Sequence, residues 1–230
     1  MLSKIKINPS LGFLLMTFLF IDLNVEGQTR TEQAQIDVRE NLQKLYEGAL
    51  LVRLLVRTET TERLRDRGLE AEAVQIESEQ REKNLEYATA FDQGYDFSSV
   101  YYFSSNDSKL VKAGRLDEIT FFNSNLEPDE SIKVTQKNIF TAEFGIVKQS
   151  NECEQSGYRL QKDSTGVVQK ETYYGSPNFG FSAIVIMNDQ FEQLGRPFPY
   201  YVRYTDGFSF LRPKPATAVK KLNAKLYQSL

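Results

Sequence analysis

Residues 49–57 have the sequence ALLVRLLVR, an apolar run that is interrupted only by Arg53 and Arg57. As a helix, the run would place both arginines four residues apart on one stripe. As a strand, it would bury alternate residues on one face, namely Val52, Leu54 and Val56. We predict a strand, because the run is short, follows Gly48 and is followed at once by a helix start at Thr58.

Charged helical patterns lie on both sides of this run. Residues 30–47 repeat apolar side chains at helical spacing. Residues 59–92 are helical and highly charged, and Gly68 is expected to divide them into a short and a longer helix. The longer helix has a thin apolar stripe, formed by Ala73, Ile76, Leu85, Ala88 and Phe91. Such a helix covers one face of a core, projects into solvent or contacts a partner.

The chain changes character after Gly94, where apolar and aromatic stretches predict a series of strands. These are residues 97–103, 119–122, 139–147, 181–187 and 200–204. The stretch around Ile184 is the best candidate for a core strand. Residues 149–180 predict a long loop or a loose hairpin around Val167 and Val168.

The order of these elements predicts one domain of the α/β or α+β class, with a mixed β-sheet covered by helices. A charged helical N-terminal region, residues 28–95, contains one strand at 49–57. A sheet region, residues 96–230, ends in a helix at residues 216–228.

The first 27 residues have the pattern of a secretory signal peptide. Lys4 and Lys6 precede an uncharged apolar run at residues 11–21, and a small-residue exit ends at Gly27. A membrane span needs about 20 apolar residues, so we expect cleavage before Gln28 rather than a retained anchor. The mature chain is therefore predicted to be periplasmic or secreted, with no membrane span.

Two features of the composition exclude common chemistries. The chain has no His, which removes the usual general base, the serine–histidine and cysteine–histidine pairs and the commonest metal ligand. The single Cys, Cys153, lies between Glu152 and Glu154, and these carboxylates disfavour a reactive thiolate. We interpret it as a structural thiol, with an intermolecular disulfide as the alternative.

Motifs for cofactors and metals are missing from the sequence as well. There is no glycine-rich nucleotide-binding motif, so no cofactor is predicted. Residues 123–130 are acidic, but their spacing does not match a calcium loop, and we predict a solvated loop and no metal.

Charge is distributed unevenly along the chain. Residues 28–195 contain 19 Lys and Arg against 28 Asp and Glu, whereas residues 196–230 contain 7 basic residues and one acid. An acidic body with a basic end favours self-complementation or contact with an anionic surface. Export and an acidic body argue against nucleic acid as a partner.

A polar segment follows the predicted strand at 97–103 and opens a short helix that is expected to reach Val111. Ligands of α/β sheets bind near such strand ends and helix starts. We therefore name Ser104, Ser105 and Asp107 as candidate residues for binding a small polar or anionic ligand. The alternative is plain helix capping, which these residue types also perform.

Residues 196–204, RPFPYYVRY, combine rigid prolines with aromatic and arginine side chains. Aromatic residues and Arg are enriched at binding hot spots. We predict partner contact through Arg196, Tyr201, Arg203 and Lys214, and an ordinary edge strand is the alternative. Strand alternation assigns Tyr200, Val202 and Tyr204 to one face and Tyr201 and Arg203 to the other.

Three segments carry a resemblance. The chain is similar to exported proteins of Bacteroidota that carry no assigned function. The similarity lies in residues 51–54, 97–103 and 196–203 and in the Gly27–Gln28 junction. The resemblance extends over most of the mature chain. It implies a Gram-negative cell envelope and carries no catalytic residue onto this sequence.

Two hypotheses for function follow. The first is a non-catalytic envelope protein that binds or assembles through protein or anionic-ligand contacts, with an envelope protein as its partner. The second is a carboxylate-dependent hydrolase acting on a glycan, with Glu143 and either Asp107 or Asp189 as candidate carboxylates. A concave pocket that holds two carboxyls about 5–10 Å apart would favour the enzyme, whereas a flat surface of aromatic and Arg side chains would favour the binding protein.

Overall fold

Strand β1 (Ala49–Leu54) lies inside a mixed six-stranded sheet and pairs in parallel with a strand on each side. The computed structural model describes residues 32–147, 156–162, 168–174, 182–204 and 214–230. The chain divides into two units, residues 1–41 and residues 42–230. The described part of the first unit, residues 32–41, is helical, and the second unit contains the sheet.

The elements follow the predicted order. The helices are α1 (residues 32–46), α2 (Thr58–Asp66), α3 (Glu70–Gly94), α4 (Ser108–Lys112) and α5 (Pro215–Ser229). The other strands are β2 (Ser99–Ser104), β3 (Phe121–Phe122), β4 (Ile139–Ile146), β5 (Ser156–Lys162), β6 (Val168–Tyr174), β7 (Ser182–Asn188) and β8 (Tyr201–Arg203). Within the described residues, no helix is long and apolar enough to cross a bilayer.

The sheet has the strand order β3-β2-β1-β4-β7-β8. Strands β2, β1 and β4 are parallel, while β3, β7 and β8 each run antiparallel to the neighbour they extend. After β1, the next strand of this sheet is β2, which lies on one side of the β1–β4 pair. After β4, the next strand of this sheet is β7, which lies on the other side. The carboxyl ends of β1 and β4 therefore form a topological switch point, where α/β sheets usually bind ligands.

This architecture confirms the predicted α/β class with a mixed sheet. The hairpin alternative for residues 149–180 also agrees with the structure, since β5 and β6 form an antiparallel pair. Gly68 separates α2 from α3 as expected, and its φ of 75° is a left-handed conformation that favours glycine.

The predicted strand at 49–57 is correct in type but too long. It ends at Leu54, and the next two residues, Leu55 and Val56, are 46% and 40% exposed. The backbone N–H of Val56 donates a hydrogen bond to Ser105 Oγ, 2.9 Å away, instead of pairing with a neighbouring strand. The expected burial of Val56 is therefore wrong, because the chain turns toward α2 there.

Strand β7 is buried on both faces, which explains its continuous apolar sequence. Ile184 is fully buried, as predicted. On the other face, Ala183, Val185 and Met187 pack in a cluster with Val147. Helix α5 contacts α3, β7 and β8, and its predicted inward residues are fully buried, namely Val219, Leu222 and Leu226.

Candidate functional site

A cleft of about 320 Å³ lies where β1 and β2 end and where α2 and α3 face each other, and we name it the α2–α3 cleft. Its apolar lining comes from strand ends, connections and one helix, namely Leu54, Leu55, Val56, Ile76, Phe122 and Leu126. Leu55 and Val56 are exposed because β1 stops short of them. The early end of the strand thus supplies an apolar surface to the cleft.

Three buried polar side chains line the same cleft: Thr61, Gln80 and Asn84, each at most 9% exposed. With Thr141, they are the buried polar side chains of the described residues. Gln80 Nε2 donates to Asn84 Oδ1 at 3.1 Å, and Asn84 Nδ2 donates to the carbonyl of Leu55 at 2.9 Å. The amide pair therefore fixes the end of β1 against α3.

The inward face of α3 differs from the predicted apolar stripe. Leu85 is 41% exposed, whereas the polar residues Gln80 and Asn84 are buried. Their spacing from Ala73 and Phe91 is helical, so periodicity alone could have placed them on the inward face. The prediction failed there because it counted only apolar residues as facing inward. Amide side chains can also be buried when they are hydrogen-bonded.

An ion-pair network joins the two helices at the cleft. Arg65 of α2 lies 3.2 Å from Glu70 Oε1 and 2.8 Å from Glu77 Oε2 of α3. The hydrogen bond from Arg65 lowers the pKa of Glu77 below its ordinary value, and the two carboxylates raise the pKa of Arg65. These contacts link α2 to α3 beside the cleft, and because they are exposed to solvent their contribution to stability is small.

Other charged side chains at the cleft are not neutralised in this way. Arg57, Arg81 and Glu62 line it, and within the described residues none of the three forms an ion pair. Helix α2 begins at the cleft with no side chain bonded to its N-terminal N–H groups. With Glu70 counted beside Arg65, three arginines face three glutamates at the cleft, and the positive end of the α2 dipole lies next to them.

A second, smaller cavity of about 170 Å³ lies at the switch point between β1 and β4. Arg53 NH1 lies 2.8 Å from Glu143 Oε2 of the neighbouring strand. Arg53 Nε also donates to Ser108 Oγ at 2.9 Å, and its guanidinium carbon lies 5.4 Å from the centre of the Phe191 ring. Arg53 therefore contacts Glu143, Ser108 and Phe191. Leu55 lines both cavities.

The residues predicted for ligand binding differ in their hydrogen bonds, one of which is local and one of which joins distant segments. Ser104 Oγ accepts from the N–H of Asn106, and Ser105 Oγ accepts from the N–H of Val56. Ser104 alone of the three lines the α2–α3 cleft. Asp107 precedes α4, and partial burial raises the pKa of its carboxyl. Only Ser104 caps a helical turn in the expected way, since Ser105 bonds a distant strand end and Asp107 forms no capping hydrogen bond at α4. Ligand binding by this segment stays a prediction.

The residues predicted for partner contact lie on and around β8. Arg196, Arg203 and Lys214 are exposed, while Tyr201 packs against the cluster formed with Val185. Both faces of β8 therefore contact apolar side chains, since Val202 and Tyr204 are buried. The predicted face of Tyr200 is wrong: it packs with Tyr201 against the Val185 cluster, because strand alternation does not extend to a residue that precedes β8. Partner contact through these residues stays a prediction.

The three candidate carboxylates of the hydrolase hypothesis have separate surroundings. Glu143 is paired with Arg53, Asp107 lies before α4, and Asp189 is exposed in the turn after β7. Among the described residues, no hydrogen bond joins any two of them, and no group of acidic or Cys residues is arranged to hold a metal ion. Cys153 and the predicted signal peptide lie outside the described residues.

Comparison with models of protein families, with curated proteins and with solved structures finds no match to this chain.

Proposed function

We propose that this chain is a non-catalytic binding protein that takes a small, mainly apolar molecule into the α2–α3 cleft. The observation that carries the proposal is the composition of the cleft wall, in which an apolar surface is combined with the buried side chains of Thr61, Gln80 and Asn84. Ligand sites typically have this composition, because apolar area gives affinity and a few fixed polar groups give orientation.

The size and the accessibility of the cleft support the same proposal. Its volume of about 320 Å³ is at the lower end of the range of small-molecule sites, which is about 300–1,000 Å³. Leu55 and Val56 are exposed and adjacent within it, and covering such apolar surface with a ligand favours binding by about 25 cal/mol for each Å² removed from water. The cleft therefore suits one short apolar chain or one small ring system.

Export belongs to the proposal as well. The basic, apolar and small-residue order of the first 27 residues supports secretion into the periplasm or the medium. A binding protein in that compartment would collect its ligand outside the cytoplasm. The hydrolase hypothesis has weaker support, since Glu143 is paired with Arg53 and is the only carboxylate among the described residues that line its cavity.

Binding of an uncharged, solvent-sensitive dye such as Nile red tests the proposal. We expect saturable dye binding by the full chain, and loss of that binding in Val56→Trp, because the indole would fill the cleft. Val74→Trp is the matched control: Val74 is also exposed, lies on α3 and does not line the cleft. Equal dye binding by both variants, or none by the unmodified protein, would contradict the proposal.

A further inference from the structure

We infer that the α2–α3 cleft and the smaller cavity at the switch point form one elongated site, which takes an unbranched apolar molecule that ends in an uncharged carboxamide. The inference rests on the proposed function and adds the extent of the site and the chemical class of the ligand. It is drawn from the elements that line both cavities and from the hydrogen-bonding groups that the Arg53–Glu143 pair leaves over.

Helix α3 runs along both cavities. Ile76, Gln80 and Asn84 line the α2–α3 cleft, and Tyr87 lines the smaller cavity. Their spacings of three or four residues place all four on one face of the helix. At a rise of about 1.5 Å for each residue, this face extends over about 16 Å from Ile76 to Tyr87. The two cavities therefore follow one another along a single helix face.

Leu55 connects the two cavities on the side of the sheet. It lines both of them, and it is 46% exposed because β1 ends before it. The smaller cavity holds about 170 Å³, which is below the range of about 300–1,000 Å³ for separate small-molecule sites. It suits the end group of a molecule whose apolar chain lies in the cleft and passes over Leu55.

The charged pair in the smaller cavity has hydrogen-bonding groups left over. Arg53 Nη1 donates to Glu143 Oε2, and Arg53 Nε donates to Ser108 Oγ. Among the described residues, Arg53 Nη2 and Glu143 Oε1 have no hydrogen-bond partner. A charged donor and a charged acceptor are therefore both available at this end of the site.

A neutral carboxamide matches this combination. Its carbonyl accepts a hydrogen bond from a guanidinium, and its N–H groups donate to a carboxylate. A carboxylate ligand would meet the like charge of Glu143, and an ammonium ligand would meet that of Arg53. The pair therefore favours an end group that is uncharged and that both donates and accepts.

Gly145 leaves space for such a group. It lines the smaller cavity, and a Cβ at this position would lie 2.9 Å from Glu143 Oε1. Because position 145 has no side chain, the space beside this oxygen is open to the cavity.

Competition against bound Nile red tests the inference with two probes of the same shape, decanamide and 2-undecanone. The ketone has a methyl group where the amide has NH₂, so it accepts a hydrogen bond but donates none. We expect decanamide to displace the dye at about tenfold lower concentration, the effect of one hydrogen bond to a charged group. The hydrophobic effect alone predicts the reverse order, since the ketone is the more apolar probe.

Variants that alter one cavity each test whether one molecule occupies both. Val56→Trp fills the cleft, and Arg53→Met/Glu143→Leu removes the charged pair from the smaller cavity. We expect each to weaken decanamide binding by about tenfold in calorimetry, while the Arg53/Glu143 variant still binds Nile red. Gly145→Val fills the smaller cavity without removing a charge and replaces that variant if it does not fold.

Arg115→Met/Glu118→Leu is the matched control. It removes the same two residue types from an ion pair that lines neither cavity, and it should bind decanamide as the unmodified protein does.

Equal displacement by decanamide and 2-undecanone, or decanamide binding that is weakened by Val56→Trp alone, would overturn the inference and leave the proposed function standing. Absence of Nile red binding together with absence of decanamide binding would overturn both.

Discussion

Arg53 and Glu143 occupy neighbouring positions on the parallel strands β1 and β4, and their charged groups lie 2.8 Å apart. Each side chain is about 30% exposed, so the pair is partly shielded from water. The pair joins the two strands at the point where their connections diverge to opposite sides of the sheet.

Removing either partner of this pair should destabilise the fold by a modest amount. We expect a coupling free energy of about 1 kcal/mol between Arg53→Met and Glu143→Gln in a double-mutant cycle, at the upper end for accessible pairs. Urea unfolding of the four proteins measures it. Strictly additive single effects would show that the two charges do not stabilise each other.

Gly145→Ala should act through the same pair. A Cβ at position 145 would lie 2.9 Å from Glu143 Oε1, which is closer than side-chain atoms normally approach. Because the obstructing atom ends a flexible side chain, we expect Glu143 to move away and to weaken its bond to Arg53, at a cost of up to about 1 kcal/mol. The loss should vanish in a Glu143→Ala background, and an unchanged loss there would point to a backbone cause.

Ile184→Asp should prevent folding. Ile184 is fully buried in β7, and an unpaired carboxylate there costs several kcal/mol against a total stability of about 5–15 kcal/mol. Circular dichroism and thermal melting of the purified variant measure the effect. Val74→Asp, an exposed position on α3, is the control and should melt as the unmodified protein does. Normal melting of the Ile184 variant would refute the burial of β7.

The bridge between α2 and α3 should respond to acid. The pKa of Glu77 is lowered by Arg65, so the carboxylate favours the folded state above its ordinary pKa of 4.5 and loses that effect as the pH falls below it. We expect dye binding in the cleft to weaken over that range at low salt. Glu77→Gln should show weaker binding at neutral pH and a smaller change on acidification. An identical acid response in both proteins would exclude Glu77 as its source.

The sequence alone was sufficient to predict those elements whose formation depends on their own residues. β7 and the inward face of α5 follow from continuous or periodic apolar residues, and Gly68 marks the break between α2 and α3. The end of β1 was misjudged by three residues, because a hydrogen bond from Val56 to Ser105, 49 positions away, turns the chain out of the sheet.

The candidate site was harder to predict because it depends on contacts between distant segments. Asn84 is buried because its amide bonds to the carbonyl of Leu55, 29 residues earlier in the chain. Arg53 and Glu143 are 90 positions apart and meet only through the strand order. Local patterns identify helices and strands, but such pairs require the arrangement of the sheet.

Mapping a bound ligand by backbone amide chemical shifts tests the central claim most directly. The isotope-labelled full chain is titrated with 2-undecanone and, separately, with 1-decanol. We expect saturable shifts concentrated at residues 55–61, at residues 80–84 and around Ser104 and Phe122, with little change along β7 and β8. Shifts centred on Arg53 and Glu143 or on β8, or no saturable shifts with either probe, would contradict a ligand site in the α2–α3 cleft.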